Sequence, residues 1–177
     1  QTTLEAVECI RRADEVFYAT PNPDTEVWIR RLNARASTLT DCYADGKPRE
    51  KTYKEMTDRI LAAVRAGRQV CAAFYGHPGV FVDPAHDAVR RARREGFPAR
   101  MLPGISTEDC LFADLGIDPG TDGCQSFEAT DFLAARRRFD PTSVLIIWQI
   151  GLLGEGSLGD GNCRRERLQV LTKTLRR

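Results

Sequence analysis

The sequence predicts an α/β fold: a mostly parallel sheet with helices on both faces, followed by the start of a second α/β domain. Three observations carry this. Short apolar runs alternate with amphipathic segments, strand then helix, along most of the 177 residues. "QVCAAFY" (69–75) and "TSVLIIWQI" (142–150) are continuous apolar runs, as expected of strands covered on two sides. The helical segments carry their own stop signals, Gly67 and Gly96.

Each element follows in order. Thr2 and Glu5 read as a capping box, and Leu4, Val7, Ile10 and Ala13 continue at helical spacing. "EVFYAT" (15–20) is a short strand, broken by "PNP" (21–23). A short helix over 25–33 precedes a strand-like run, "STLTDCY" (37–43), and a turn-rich loop, "ADGKPRE" (44–50). The clearest helix spans 51–66, with Tyr53, Met56, Ile60, Leu61 and Val64 on one face. After the strand at 69–75, Asp83 and Pro84 open a helix as cap and first-turn residue. "FPARML" (97–102) reads as a further strand. Ser106 and Asp109 form a second capping box, opening a helix to Leu115. The Gly-, Asp- and Pro-rich stretch near 118–143 marks a boundary, and the final helix covers 163–177. The expected organisation is a domain over 1–118, a linker region over 119–142, and the start of a second domain over 143–177.

Composition narrows the partners. Formal net charge is +1, and the clusters "RRARREG" (90–96) and "ARRR" (135–138) read as solvated helix faces. No nucleic-acid partner is expected. The six cysteines form no CxxC pair and no metal-ligand spacing, so no metal is expected either. Cys9, Cys71 and Cys110 lie among apolar residues, as reduced thiols do, which favours the cytoplasm. No signal peptide or apolar run of membrane-spanning length is present, so no membrane partner is expected.

Two loops follow strands: "YGHPGVF" (75–81) and "PGIST" (103–107). Gly beside Pro lets the backbone turn sharply and approach a ligand closely. Neither loop matches GxGxxG or a Walker loop. Arg49 and Tyr53 are four residues apart at a helix start, so they share a face, and Tyr43 precedes the same loop. An Arg beside a phenol favours the phenolate, which is a general base or a hydrogen-bond clamp. On spacing alone, the loops are also ordinary turns and Arg49 and Tyr53 a solvated Arg beside a core Tyr. His77 is a candidate base or ligand contact; His86 reads as structural. No GxSxG elbow is present.

The combination is more specific than its parts. "FYGHPGVFVDPAHDAVRRARREGFPARMLPGISTEDCLFADLGIDPG" (74–120) resembles the borosin α-N-methyltransferases, a branch of the tetrapyrrole-methylase superfamily. "YADGKPREKTY" (43–53), "SFEATDFL" (126–133) and "LIIWQI" (145–150) follow the same pattern. The resemblance implies a tetrapyrrole-methylase-like fold and an enzyme using S-adenosylmethionine, with S-adenosylhomocysteine as product. It implies iterative methylation of backbone amides in a ribosomally made precursor peptide, either the enzyme's own C-terminal tail or a separate chain. It also implies a homodimer. The match places Tyr43, Arg49, Tyr53 and Tyr75 in the catalytic set. Tyr75, His77, Val80, Ser106, Thr107 and Gln149 match cofactor contacts, while Gly76, Pro78, Gly79 and Phe81 shape the cofactor loop. Against that family, the chain is expected to begin after a first strand and Gly-rich loop and to stop within the second domain. The competing readings are a tetrapyrrole or other small-molecule methylase on the same fold, and a non-catalytic peptide-binding module.

Overall fold

The computed structural model describes residues 2–155 and 165–176. The chain divides into two compact units, Gln1–Leu111 and Phe112–Arg177.

The first unit holds a three-stranded parallel sheet in the order β2-β1-β3. Its strands are β1 (Glu15–Ala19), β2 (Ala36–Thr38) and β3 (Val70–Phe74). Val16 pairs with Ala36 on one side and with Cys71 on the other. Helices α2 (Pro23–Leu32) and α3 (Arg49–Arg65) make the crossovers that parallel strands require, while α1 (Leu4–Arg12) precedes β1 and α4 (Asp83–Arg94) follows β3.

The period of two along β1 sorts the core into two layers. Val16 and Tyr18 pack with Ile10 and Ala13 at α1, Ile29 on α2, and Cys71 and Ala73. Phe17 and Ala19 point the other way, toward Met56, Ile60 and Ala63 on α3 and Ala88 on α4. Helices therefore cover both faces, as the alternating pattern predicts. A buried Asn33 ties the first layer together. Its Nδ2 donates to the carbonyls of Ile10 (2.8 Å) and Ala13 (2.9 Å), and its Oδ1 accepts from the Arg35 amide.

The second unit repeats the strand–helix–strand theme. β4 (Cys124–Glu128) and β5 (Val144–Trp148) are parallel, with Ser126 opposite Ile146. Between them runs α7 (Ala129–Ala134), preceded in the chain by α5 (Thr107–Leu115) and α6 (Pro119–Asp122). Ala129 and Phe132 on α7 pack with Leu153 and with Leu171 on α8 (Arg165–Leu175).

Several local expectations need correction. Thr3, not Thr2, caps α1: its hydroxyl accepts from the Ala6 amide at 3.2 Å. The run at 37–43 is not one strand. The Thr38 hydroxyl accepts from the Thr40 amide at 3.1 Å and turns the chain into a 3-10 turn, Thr40–Cys42. β3 is half-buried along its length because it forms an edge of this sheet. Residues 97–102 form no strand. Pro98 removes a ladder donor, and the Arg93 side chain takes the Ala99 carbonyl. Val82 occupies the cap of α4, so Asp83 and Pro84 are its first two residues. Residues 119–142, read as a linker, contain α6, β4 and α7. The Gly and Pro residues there delimit short elements: Pro119 opens α6 and Gly123, at φ +73°, leads into β4. The first two residues of the expected helix at 163–177, Cys163 among them, lie outside the described residues.

Candidate active site

All three strands of the first sheet are parallel, so their carboxyl ends share one edge. Ligands in such sheets collect at that edge, where the chain order reverses. Here the reversal lies between β1 and β3, since β2 and β3 flank β1. The loops leaving β2 and β3 carry Tyr43 and Tyr75 to this edge, and α3 brings Arg49 and Tyr53. Of the four tyrosines, only Tyr18 is elsewhere. It is fully buried on the α1/α2 face, its hydroxyl accepting from Arg30 Nε at 2.9 Å.

The remaining tyrosines act on one another. The phenols of Tyr43 and Tyr53 influence one another, and their mutual interaction raises the first while lowering the second. Burial is the largest influence on both. It pushes Tyr43 up to about 12, with the Tyr53 and Tyr75 charges adding to the rise and Arg49 opposing it. Tyr53 is also raised by burial, but Arg49 is its second largest influence and lowers it; Asp83 raises it. The pair is thus asymmetric, with the phenolate favoured more on Tyr53 than on Tyr43. One helical turn separates Arg49 from Tyr53 at the start of α3, as the four-residue spacing predicts.

The 75–81 loop is tightly constrained. Gly76 adopts φ +69° and Phe81 φ +57°, a region that favours glycine, so Phe81 is a strained position. The Gly79 amide donates to His77 Nδ1 at 2.9 Å, and Val80 donates to the His77 carbonyl at 3.0 Å. His86 on α4 sets its Nε2 2.9 Å from the Gly79 carbonyl, fastening the loop from behind. The "PGIST" segment closes on the same loop. A Cβ on Gly104 would lie 2.8 Å from the Gly76 carbonyl oxygen and 3.3 Å from His77 Cα. Tyr75 is 66% exposed at the head of the loop. Val80, Phe81 and Ile105 add exposed apolar surface. An apolar, backbone-rich edge next to these phenols suits a cofactor made of a purine and a sulfonium, such as S-adenosylmethionine.

Other expected contacts fall differently. Ser106 is buried, and its hydroxyl donates to Asp109 at 2.8 Å while accepting from the Asp109 amide at 3.2 Å. It serves as the cap of α5, and Thr107 is the exposed first residue of that helix. Those bonds, together with the charge of His77, hold the Asp109 carboxyl below its ordinary range. Gln149 lies in the second unit, directly after β5, exposed and left-handed at φ +57°. Three residues gain a role that spacing alone did not reveal. Asp83 acts on Tyr53, His86 holds the loop, and Asp109 feels the charge of His77. Their only signal was proximity in sequence to the two loops. Among the described residues, no group of three or more His, Cys, Asp or Glu side chains is placed to hold a metal ion. No helix among them is long and apolar enough to cross a membrane.

Comparison with known proteins follows the same lines. Residues 1–150 match the family model of tetrapyrrole (corrin/porphyrin) methylases. A methyltransferase/ribosomally synthesized type I borosin cyclic peptide precursor from Coprinopsis marcescibilis is 49% identical over 86% of this chain and 39% of its own length. The methyltransferase/dendrothelin A precursor of Dendrothele bispora is 44% identical over 99% of this chain and 42% of its own. The corresponding omphalotin A precursor of Omphalotus olearius is 47% identical over 87% and 37%. The chain therefore spans about two fifths of the length of the curated relatives it matches. Uroporphyrin-III-C-methyltransferase from Thermus thermophilus superposes with a TM-score of 0.56 at 20% identity, over 83% of this chain and 61% of that one. That likeness is one of fold.

Proposed function

We propose a function from one premise: this chain belongs to the tetrapyrrole (corrin/porphyrin) methylase family, in the branch of the borosin methyltransferases. The protein methylates backbone amide nitrogens of a ribosomally made precursor peptide, one after another, drawing on S-adenosylmethionine. The observation that carries the reading is the gathering of Tyr43, Tyr53 and Arg49 at the carboxyl edge of the sheet, with Arg49 one helical turn before Tyr53.

An amide nitrogen is a poor nucleophile because its lone pair is delocalised into the carbonyl. Removing the N–H proton restores nucleophilicity and pushes charge onto the carbonyl oxygen. Tyr53 is the proton acceptor in this reading, since Arg49 and the interaction with Tyr43 both favour its phenolate. Burial makes that phenolate a stronger base and a rarer one. Arg49 also stabilises the imidate-like oxygen. Tyr43 and Tyr75 orient the amide, a proximity effect. The 75–81 loop, with Tyr75, Gly76, His77, Pro78, Gly79, Val80 and Phe81, would hold the cofactor, joined by Ser106 and Thr107. When bound, S-adenosylmethionine supplies an electrophilic methyl on sulfur.

The reading extends to a homodimer, on the family resemblance, and to the cytoplasm, where thiols such as the buried Cys42 stay reduced. Tyr53→Phe tests the base assignment. The variant is expected to bind S-adenosylmethionine normally in calorimetry and to lose methylation by about 100-fold or more. Full methylation with cofactor bound would remove Tyr53 from the role.

A further inference from the structure

Tyr43 sits on a loop that α3 fastens twice. Arg59 on α3 donates through Nη1 to both carboxylate oxygens of Asp41, at 2.7 and 3.0 Å, and to the Thr38 carbonyl at 3.0 Å. This first clamp holds the 3-10 turn. The second involves Lys47, four residues beyond Tyr43. Its ammonium donates to the Cys42 carbonyl at 2.6 Å and is paired with Glu55 on α3. The Cys42 carbonyl belongs to the peptide bond that carries the Tyr43 nitrogen. Glu55 lies two residues after Tyr53 on the same helix. One ammonium therefore joins the backbone of Tyr43 to the helix of Tyr53. The Tyr43 amide is fixed as well, donating to the Thr40 carbonyl at 3.1 Å. The Lys47 side chain is only 20% exposed, so water competes weakly for its bonds.

We propose that Lys47, anchored by Glu55, is a positioning residue that holds Tyr43 against the helix carrying Tyr53 during amide methylation. This rests on the N-methyltransferase reading above. The Arg59–Asp41 clamp is independent of it, so removing Lys47 leaves the 3-10 turn in place and frees only the segment bearing Tyr43. The loss should then fall on the chemical step and not on cofactor binding.

The test compares Lys47→Met, Lys47→Arg, Glu55→Gln and Tyr43→Phe with the double variant Lys47→Met/Tyr43→Phe, using the intact protein and its precursor peptide. Lys47→Met is expected to lower kcat about 10- to 100-fold, the scale of a small misplacement. KM for S-adenosylmethionine and the thermal midpoint should stay unchanged. Lys47→Arg should recover most of the rate, and Lys47→Met should add little on top of Tyr43→Phe. Additive losses in the double variant, or equal loss of cofactor binding, would overturn the proposal. If Lys47→Met does not fold, Glu55→Gln carries the same test, with a smaller loss that is again non-additive with Tyr43→Phe. A second readout needs no substrate and so separates this proposal from the N-methyltransferase reading. In 13Cζ-tyrosine NMR, Lys47→Met should move the Tyr43 signal as Tyr53→Phe does, since each breaks the phenol pair. An unmoved Tyr43 signal contradicts it even if no peptide is ever methylated.

Discussion

Tyr43 and Tyr53 carry the same side chain and are given different acidities by their neighbours. Burial raises both, but Arg49 is the second-largest influence on Tyr53 and only a minor one on Tyr43, and it lowers each. The phenolate is the basic form, and it grows about tenfold per pH unit below the pKa. Because Tyr53 lies above the ordinary 10, the methylation rate should climb with pH from 7 to 9 at a slope near one. A plateau near neutrality in the pH–rate profile would point to another base, such as a histidine. Replacing Arg49 with Met removes the influence that lowers Tyr53, so the rising limb should move to higher pH and the rate at fixed pH should fall. The four-residue spacing of Arg49 and Tyr53 was legible because helical geometry puts such residues together. The interaction of Tyr43 with Tyr53 was not, because it depends on where the 3-10 turn delivers Tyr43.

At the scale of elements, two substitutions separate the scaffold from the site. Gly104→Ala forces a Cβ against the Gly76 backbone carbonyl, a contact that no side-chain motion relieves. It should displace the 75–81 loop and weaken S-adenosylmethionine binding about tenfold or more in calorimetry, in line with the cost of overpacking. Asn33→Ala instead leaves the buried Ile10 carbonyl unpaired on the opposite face of the sheet. It should cost about 1–3 kcal/mol in chemical denaturation while cofactor affinity in the folded protein holds. Loss of affinity in Asn33→Ala comparable to that in Gly104→Ala would mean that the loop is not an independently constrained unit. Long periodic elements such as α3 and the apolar β1, β3 and β5 were legible from pattern alone. The strand expected at 97–102 was not there because a helix side chain and a proline took its ladder positions, a tertiary effect no local pattern carries.

For the whole molecule, the mostly parallel architecture followed from the alternation of strand and helix, and the superposition on a uroporphyrin methyltransferase agrees with it. The division of the chain was harder to read. Gly- and Pro-rich punctuation looks the same whether it joins domains or delimits short elements, and between 119 and 142 it does the second. The two units also divide the expected site. Tyr43, Arg49, Tyr53, Tyr75 and the cofactor loop belong to one, Gln149 to the other. The chain covers about two fifths of relatives whose names couple a methyltransferase to a cyclic peptide precursor. The central claim therefore concerns where the methyl goes. Tandem mass spectrometry of the precursor peptide, whether fused or co-expressed with the protein, measures this directly. The account predicts successive increments of one methyl, each localised to a backbone amide nitrogen, and their absence in Tyr53→Phe. An unmodified peptide, or methyl groups found only on side chains or on a porphyrin-like small molecule, would contradict it.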